Sequence, residues 1–169
     1  MNKEHIHLKL GTVKEAEADA IISEINNDLI FAPEAHCSLG PDVDTEIIRQ
    51  CLAIGKLELG EAVVTDAGDL DARWVIHAAS MNYDQVSTEE SIVNSLRSAL
   101  AKANEIGART VAIPPIGMAT SSVPVKRVSE LLLSECLRHD NRESTVEEAT
   151  FFLPDKTMMR VFEECLKQV

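Results

Sequence analysis

Three groups of side chains in this sequence have the types and spacing to do chemistry. The first is Thr120-Ser121-Ser122, whose hydroxyls and N–H groups stand just before Pro124, a residue suited to the first turn of a helix. Free donors at a helix N-terminus attract anions, and the helix dipole adds to the pull. The same residue types are ordinary helix caps, so simple capping accounts for the pattern equally well. The second group is His36-Cys37, two metal-ligating types side by side. Adjacent residues do not easily reach one tetrahedral ion and no second pair follows, so no metal site is expected. The third is His77, at the end of the apolar run Trp74-Val75-Ile76, which reads as a satisfied core histidine rather than a base. No nucleophile is accompanied by a recognisable base. A dinucleotide-binding G-x-G-x-x-G, a phosphate-binding Walker loop and a G-x-S-x-G elbow are all missing from the sequence.

The elements that would position these groups alternate between strand and helix. His5 to Leu10 alternates in polarity like a half-buried strand, with His5 and His7 on one exposed face. Ala20-Ile21-Ile22 opens a second strand running toward Asn26. Val43, Ile47, Ile48, Cys51 and Leu52 fall at helical spacing behind acidic capping candidates. Glu61 to Thr65 and Trp74 to Ala78 read as strands. Between Thr88 and Ile106 the residues Ile92, Val93, Leu96, Ala99, Leu100 and Ala103 make one apolar stripe, and Gly107 is a natural stop. Thr110 to Ile113 is a compact apolar strand of the kind covered on both faces. A helix after Pro124 carries Val128, Leu131, Leu132 and Cys136. Ala149 to Leu153 is a last strand, and Asp155 caps a closing helix with Met159, Phe162, Cys165 and Leu166. Such alternation predicts an α/β fold with a mostly parallel sheet covered on both faces, as one domain over residues 1–169.

Composition narrows the function classes. A net charge of −12, with Lys and Arg scattered rather than striped, disfavours nucleic acid and anionic membrane surfaces as partners. The N-terminal ten residues lack the apolar run of a signal peptide, and nowhere do 18 apolar residues follow one another, so a cytoplasmic location is expected. Cys51, Cys136 and Cys165 lie on apolar helical faces and, like Cys37, are expected to be reduced thiols. Aromatic residues make up only 4% of the chain, which predicts an aliphatic core.

Spread over nearly the whole chain, a set of segments resembles the macro domains. It comprises Gly11-Thr12-Val13, Ala18 to Ile22, Asn26 and Leu29, then Gly60 to Thr65, Leu70 and Val75 to Ala78. It closes with Ala103, Gly107, Val111-Ala112-Ile113-Pro114 and Ile116-Gly117. Each piece is weak alone, and their order and spacing carry the likeness. The resemblance implies a three-layer α/β/α fold with a mixed, mostly parallel sheet, binding ADP-ribose or related NAD metabolites, with no further cofactor. In open α/β sheets the cleft lies beyond the carboxyl ends of the strands. That edge would gather Thr12, Val13, Asn26, Ala35, Ser80, Ile116, Gly117, Met118, Ala119, Thr120, Ser121 and Ser122 as ligand-binding residues.

Several positions depart from the family pattern. Thr12 stands where an acidic residue usually accepts a bond from an adenine amino group, and a neutral acceptor is roughly half as strong as a charged one. Asn26 matches an asparagine that holds a ribose hydroxyl or positions water, which makes it the catalytic candidate if there is one. A strand-end Asn satisfying nearby backbone is the other reading. The first glycine loop is replaced by Ile30-Phe31-Ala32-Pro33-Glu34-Ala35, in which Pro33 has no N–H to give a phosphate. Glu34 would set a negative charge toward a negative ligand. In the second loop Ala119 and Ser122 replace two glycines. The expectation is therefore an altered or weakened ADP-ribose-type binding module for a phosphate-bearing small molecule. The alternatives are a non-catalytic scaffold working through protein contacts or as a homo-oligomer, and an ADP-ribosyl hydrolase using Asn26.

Overall fold

In the computed structural model, which describes residues 1–139 and 142–169, six strands form one sheet. They are β1 (Ile6–Leu10), β2 (Ala20–Asn26), β3 (Ala62–Asp66), β4 (Trp74–Met81), β5 (Thr110–Ile113) and β6 (Glu148–Leu153). Their order is β1-β6-β5-β2-β4-β3, and each neighbouring pair is parallel except β3 with β4. Four helices cover it: α1 (Thr45–Ile54), α2 (Glu89–Glu105), α3 (Val125–Arg138) and α4 (Lys156–Gln168).

The parity of the strand residues decides which layer each one meets. Ile22, Ile76, Val111 and Phe151 face α2, α3 and α4, where they pack with Ile92, Leu96, Leu132 and Phe162. Ile21, Val75 and Ala112 face the other way, onto Ile47 and Cys51 of α1 and onto Leu29, Leu39 and Val43 of the long β2–α1 connection. Every residue of β2 is buried, as a central parallel strand requires. Three layers result, with the central strands sealed on both sides.

The helix ends are set locally. Asp44, Thr88 and Asp155 accept backbone N–H bonds from the first turns of α1, α2 and α4. At α2 this is a reciprocal box, with Ser91 reaching back to Thr88. Gly107, at φ +75°, turns the chain out of α2.

A few sequence expectations need correcting. His5 lies in a single 3₁₀ turn (Lys3–His5) before β1 rather than in the strand, and both His5 and the exposed His7 bond Glu148. Glu61 falls outside β3, while β4 continues past Ala78 to Met81. Pro124 caps α3 from outside its first turn and makes no side-chain bond there. The core is not purely aliphatic, because Phe151 and Phe162 meet at its centre with ring centroids 5.4 Å apart. Cys51, Cys136 and Cys165 are buried free thiols, and burial pushes Cys51 and Cys136 up to about 12. Among the described residues, no helix is long and apolar enough to cross a membrane.

Candidate functional site

Because five strands run the same way, their carboxyl ends share one edge, and a cavity of about 330 Å³ opens there. The chain leaving each strand builds a part of its wall. Gly11, Thr12 and Val13 come after β1, Phe152 and Pro154 from the end of β6, and Met158 from α4. Pro114, Pro115, Met118 and Ala119 come after β5, and His36, Cys37 and Ser38 from the connection after β2. The walls are mostly apolar, with a few polar groups converging, which is the usual composition of a small-molecule site.

One of those polar groups belongs to the strand itself. Glu24, only 2% exposed, projects from the middle of β2 into this edge. Its Oε2 accepts bonds from Ser80 Oγ at 2.6 Å, from the Gly117 N–H at 2.7 Å and from Thr120 Oγ1 at 3.4 Å. Its Oε1 lies 3.1 Å from His36 Nε2. A buried carboxylate is tolerable only with such a set of donors. The bond to Glu24 raises the His36 imidazole above its ordinary value, against the opposing effect of burial. Ser38 fixes the approach of this segment, since its Oγ accepts from the Glu24 N–H at 2.9 Å and its own N–H donates to Glu24 O at 3.1 Å.

Gly117 is held where it is by sterics as well as by this bond. Its φ is +86°, and a Cβ there would come within 2.2 Å of Ile92 Cδ1. Only glycine brings the backbone N–H this close to β2 and α2 at once. Thr120 Oγ1 is also 2.7 Å from Ser87 Oγ, which ties the loop after β5 to the segment before α2. Ser80 O accepts from Ser91 Oγ at 2.6 Å, so the first turn of α2 positions the Ser80 hydroxyl.

The residues singled out from sequence separate into three sets. Thr12, Val13, Met118 and Ala119 line the cavity. Ser80, Gly117 and Thr120 gather instead around Glu24. The remaining five stand apart. Asn26 gives both ends of its amide to Ile30, donating to its carbonyl at 2.9 Å and accepting from its N–H at 3.2 Å. Ile116 is in the core, Ser121 Oγ bonds Gly117 O at 2.7 Å, Ala35 is half-buried and Ser122 is exposed. Thr12 is exposed, and its hydroxyl donates to Glu15 at 3.4 Å, a carboxylate in the next turn of chain. Glu34 turns outward to Tyr83 and its backbone carbonyl binds Gln85, so the acid that faces the cavity is Glu24.

The pairing of Glu24 with His36, and the walls supplied by Phe152 and Met158, are not visible from the motifs. The one signal for Glu24 is a lone acid, next to Ser23, inside the mostly apolar run Ala20 to Ile25 of a central strand. Other candidate chemistry is absorbed by the fold. His77 is fully buried, with Nε2 2.8 Å from Thr65 Oγ1. Cys37 is a neutral thiol, raised by burial, 3.6 Å from Ser23 Oγ. Among the described residues no group of three His, Cys, Asp or Glu side chains could hold a metal ion.

Comparison with known proteins identifies relatives in sequence and in fold. A family model described as Macro domain matches residues 33–132. A macro domain-containing protein of Streptomyces coelicolor is 30% identical over 164 residues, covering 93% of this chain and 95% of that protein. An uncharacterized protein of Mycobacterium tuberculosis is 29% identical over 155 residues, covering 92% of this chain. The chain spans 43% of that relative's length. Among solved structures, the Trypanosoma brucei macrodomain in complex with ADP-ribose superposes with a TM-score of 0.79 at 20% identity, covering 96% of this chain and 69% of that one. The Oceanobacillus iheyensis macrodomain with ADP gives 0.79 at 17% identity, covering 99% and 94%. Sequence and fold therefore converge: this chain belongs to the macro domain family.

Proposed function

We propose that the chain is a ligand-binding module of the ADP-ribose and NAD-metabolite class, holding the adenosine end of its ligand in the cavity at the strand edge. The observation that carries this reading is the cavity itself. Its 330 Å³ falls at the small end of the range of roughly 300–1,000 Å³ typical of small-molecule sites. Phe152, Val13, Pro154 and Met158 give a purine ring apolar walls, and Thr12 with the nearby Glu15 gives its amino edge acceptors. The diphosphate end has less to hold it, because Pro33 has no N–H and Thr120 and Gly117 already serve Glu24. The Asn26 amide is committed at both ends to Ile30, which supports binding rather than catalysis.

A thermal-shift screen with adenosine, AMP, ADP-ribose and NAD tests this. A ligand present at 100 times its Kd adds about 2.7 kcal/mol of stability. For a domain of this size that is a rise of about 5–10 °C in Tm. At least one adenine-bearing compound is expected to give such a shift. A flat response across the series would remove the proposal.

A further inference from the structure

We infer that Glu24 is an anion built into the cleft and that it sets ligand specificity, so that this site selects an adenine ligand for its uncharged nucleoside part and gains nothing from a diphosphate. This inference rests on the proposed reading of the cavity and sharpens it to a ligand class.

An anion entering between the ends of β2, β4 and β5 would need N–H and O–H groups pointed at it. Among the groups gathered there are the Gly117 N–H, the Ser80 hydroxyl and the Thr120 hydroxyl. All three converge on one oxygen, Glu24 Oε2. The other oxygen takes His36, the nearest side chain able to carry positive charge among the cavity walls. A phosphate arriving at this edge would find these three donors and the His36 imidazole already bound to a carboxylate. It would also meet that carboxylate, with little water between to screen the repulsion.

The neighbouring structure maintains this occupancy. Ser38 clamps the Glu24 backbone through both its hydroxyl and its N–H. Gly117 is held against Ile92, whose Cδ1 lies only 2.2 Å from where a Cβ would stand. By contrast, the wall formed by Phe152, Val13 and Met158 makes no demand on charge, and a neutral ring can fill it while Glu24 stays in place.

The test is calorimetric titration of adenosine and ADP-ribose into the wild-type chain and into Glu24→Gln and Glu24→Ala. For the wild type, ADP-ribose is expected to bind no more than about threefold more tightly than adenosine. In the variants, with the carboxylate charge removed or its donors released, ADP-ribose is expected to gain about tenfold or more while adenosine stays within about threefold. Wild-type ADP-ribose binding about tenfold tighter than adenosine would overturn the inference, as would folded variants that leave the ratio unchanged. If circular dichroism shows that neither variant folds, the wild-type ratio decides alone. Failure of adenosine to bind at all is a different result, which overturns the reading of the cavity and this inference with it.

Discussion

Replacing Gly117 with alanine is expected to destabilise the chain by about 2–4 kcal/mol, the sum of a left-handed backbone cost and overpacking. The position has φ +86°, and the added methyl would meet Ile92 Cδ1 at 2.2 Å and Cγ1 at 2.6 Å. Ile92 is fully buried between α2 and the sheet, so it has no room to withdraw. Moving the backbone instead would pull the Gly117 N–H away from Glu24 and leave a buried carboxylate short of a donor. Gly107 provides an internal control. Its φ, +75°, is also positive, yet an added Cβ there meets nothing within 4 Å. Gly107→Ala should therefore cost only the backbone part, about 1–2 kcal/mol. Thermal unfolding of both variants separates the two contributions. Equal losses would mean that the contact with Ile92 is unimportant.

A comparably large effect is expected from acid, through His77. Its ring is wholly buried, and burial lowers its pKa from 6.5 to about 3. Thr65 Oγ1 already donates to Asp66 O at 3.0 Å, so it accepts from His77 Nε2–H, which assigns the neutral tautomer. Nδ1 is then a bare acceptor, and no hydrogen-bond partner reaches it. With the folded pKa depressed, the unfolded chain binds the proton more readily. Stability from this group is complete above pH 6.5 and falls by up to about 1.4 kcal/mol per pH unit between 6.5 and about 3. Below that range the loss levels off. At about pH 4.5 the wild type should have lost about 2–3 kcal/mol that His77→Leu does not lose. Urea unfolding of both proteins at about pH 7 and about pH 4.5 measures the difference, in which shared carboxylate titrations cancel. Parallel losses in the two proteins would contradict the assignment. His36 has the opposite sign: Glu24 raises it, so the stability it brings is present below 6.5 and is lost as the pH rises through the raised value.

The fold is more legible than the site because the two depend on different ranges of sequence. Ile21, Ile22 and Ile25 in one run, or Ile92, Leu96, Ala99 and Ala103 at helical spacing, declare their element and its buried faces locally. The cleft is assembled across the chain. Glu24 finds Ser80 56 positions away and Gly117 93 positions away, and no local pattern encodes that meeting. The loop after β2 shows the same limit. Pro33 and Glu34 stand out in the sequence as obstacles to a phosphate, but Glu34 faces Tyr83, whereas Glu24 faces the cavity from inside a strand. Asn26 fits the family spacing, yet which way its amide turns is settled by the Ile30 backbone four residues on. Residue type and spacing can identify the edge on which a site is built; hydrogen-bond direction decides which groups remain for a ligand.

Seating of an adenine ring between β1, β6 and the loop after β5 is tested most directly by amide chemical-shift mapping with adenosine. Saturable shifts are expected to concentrate at Gly11 to Val13, Met118, Ala119 and Phe152, with Leu59 and Val86 on the exposed surface unmoved. Shifts centred on Leu59 and Val86, or none at saturating adenosine, would contradict it.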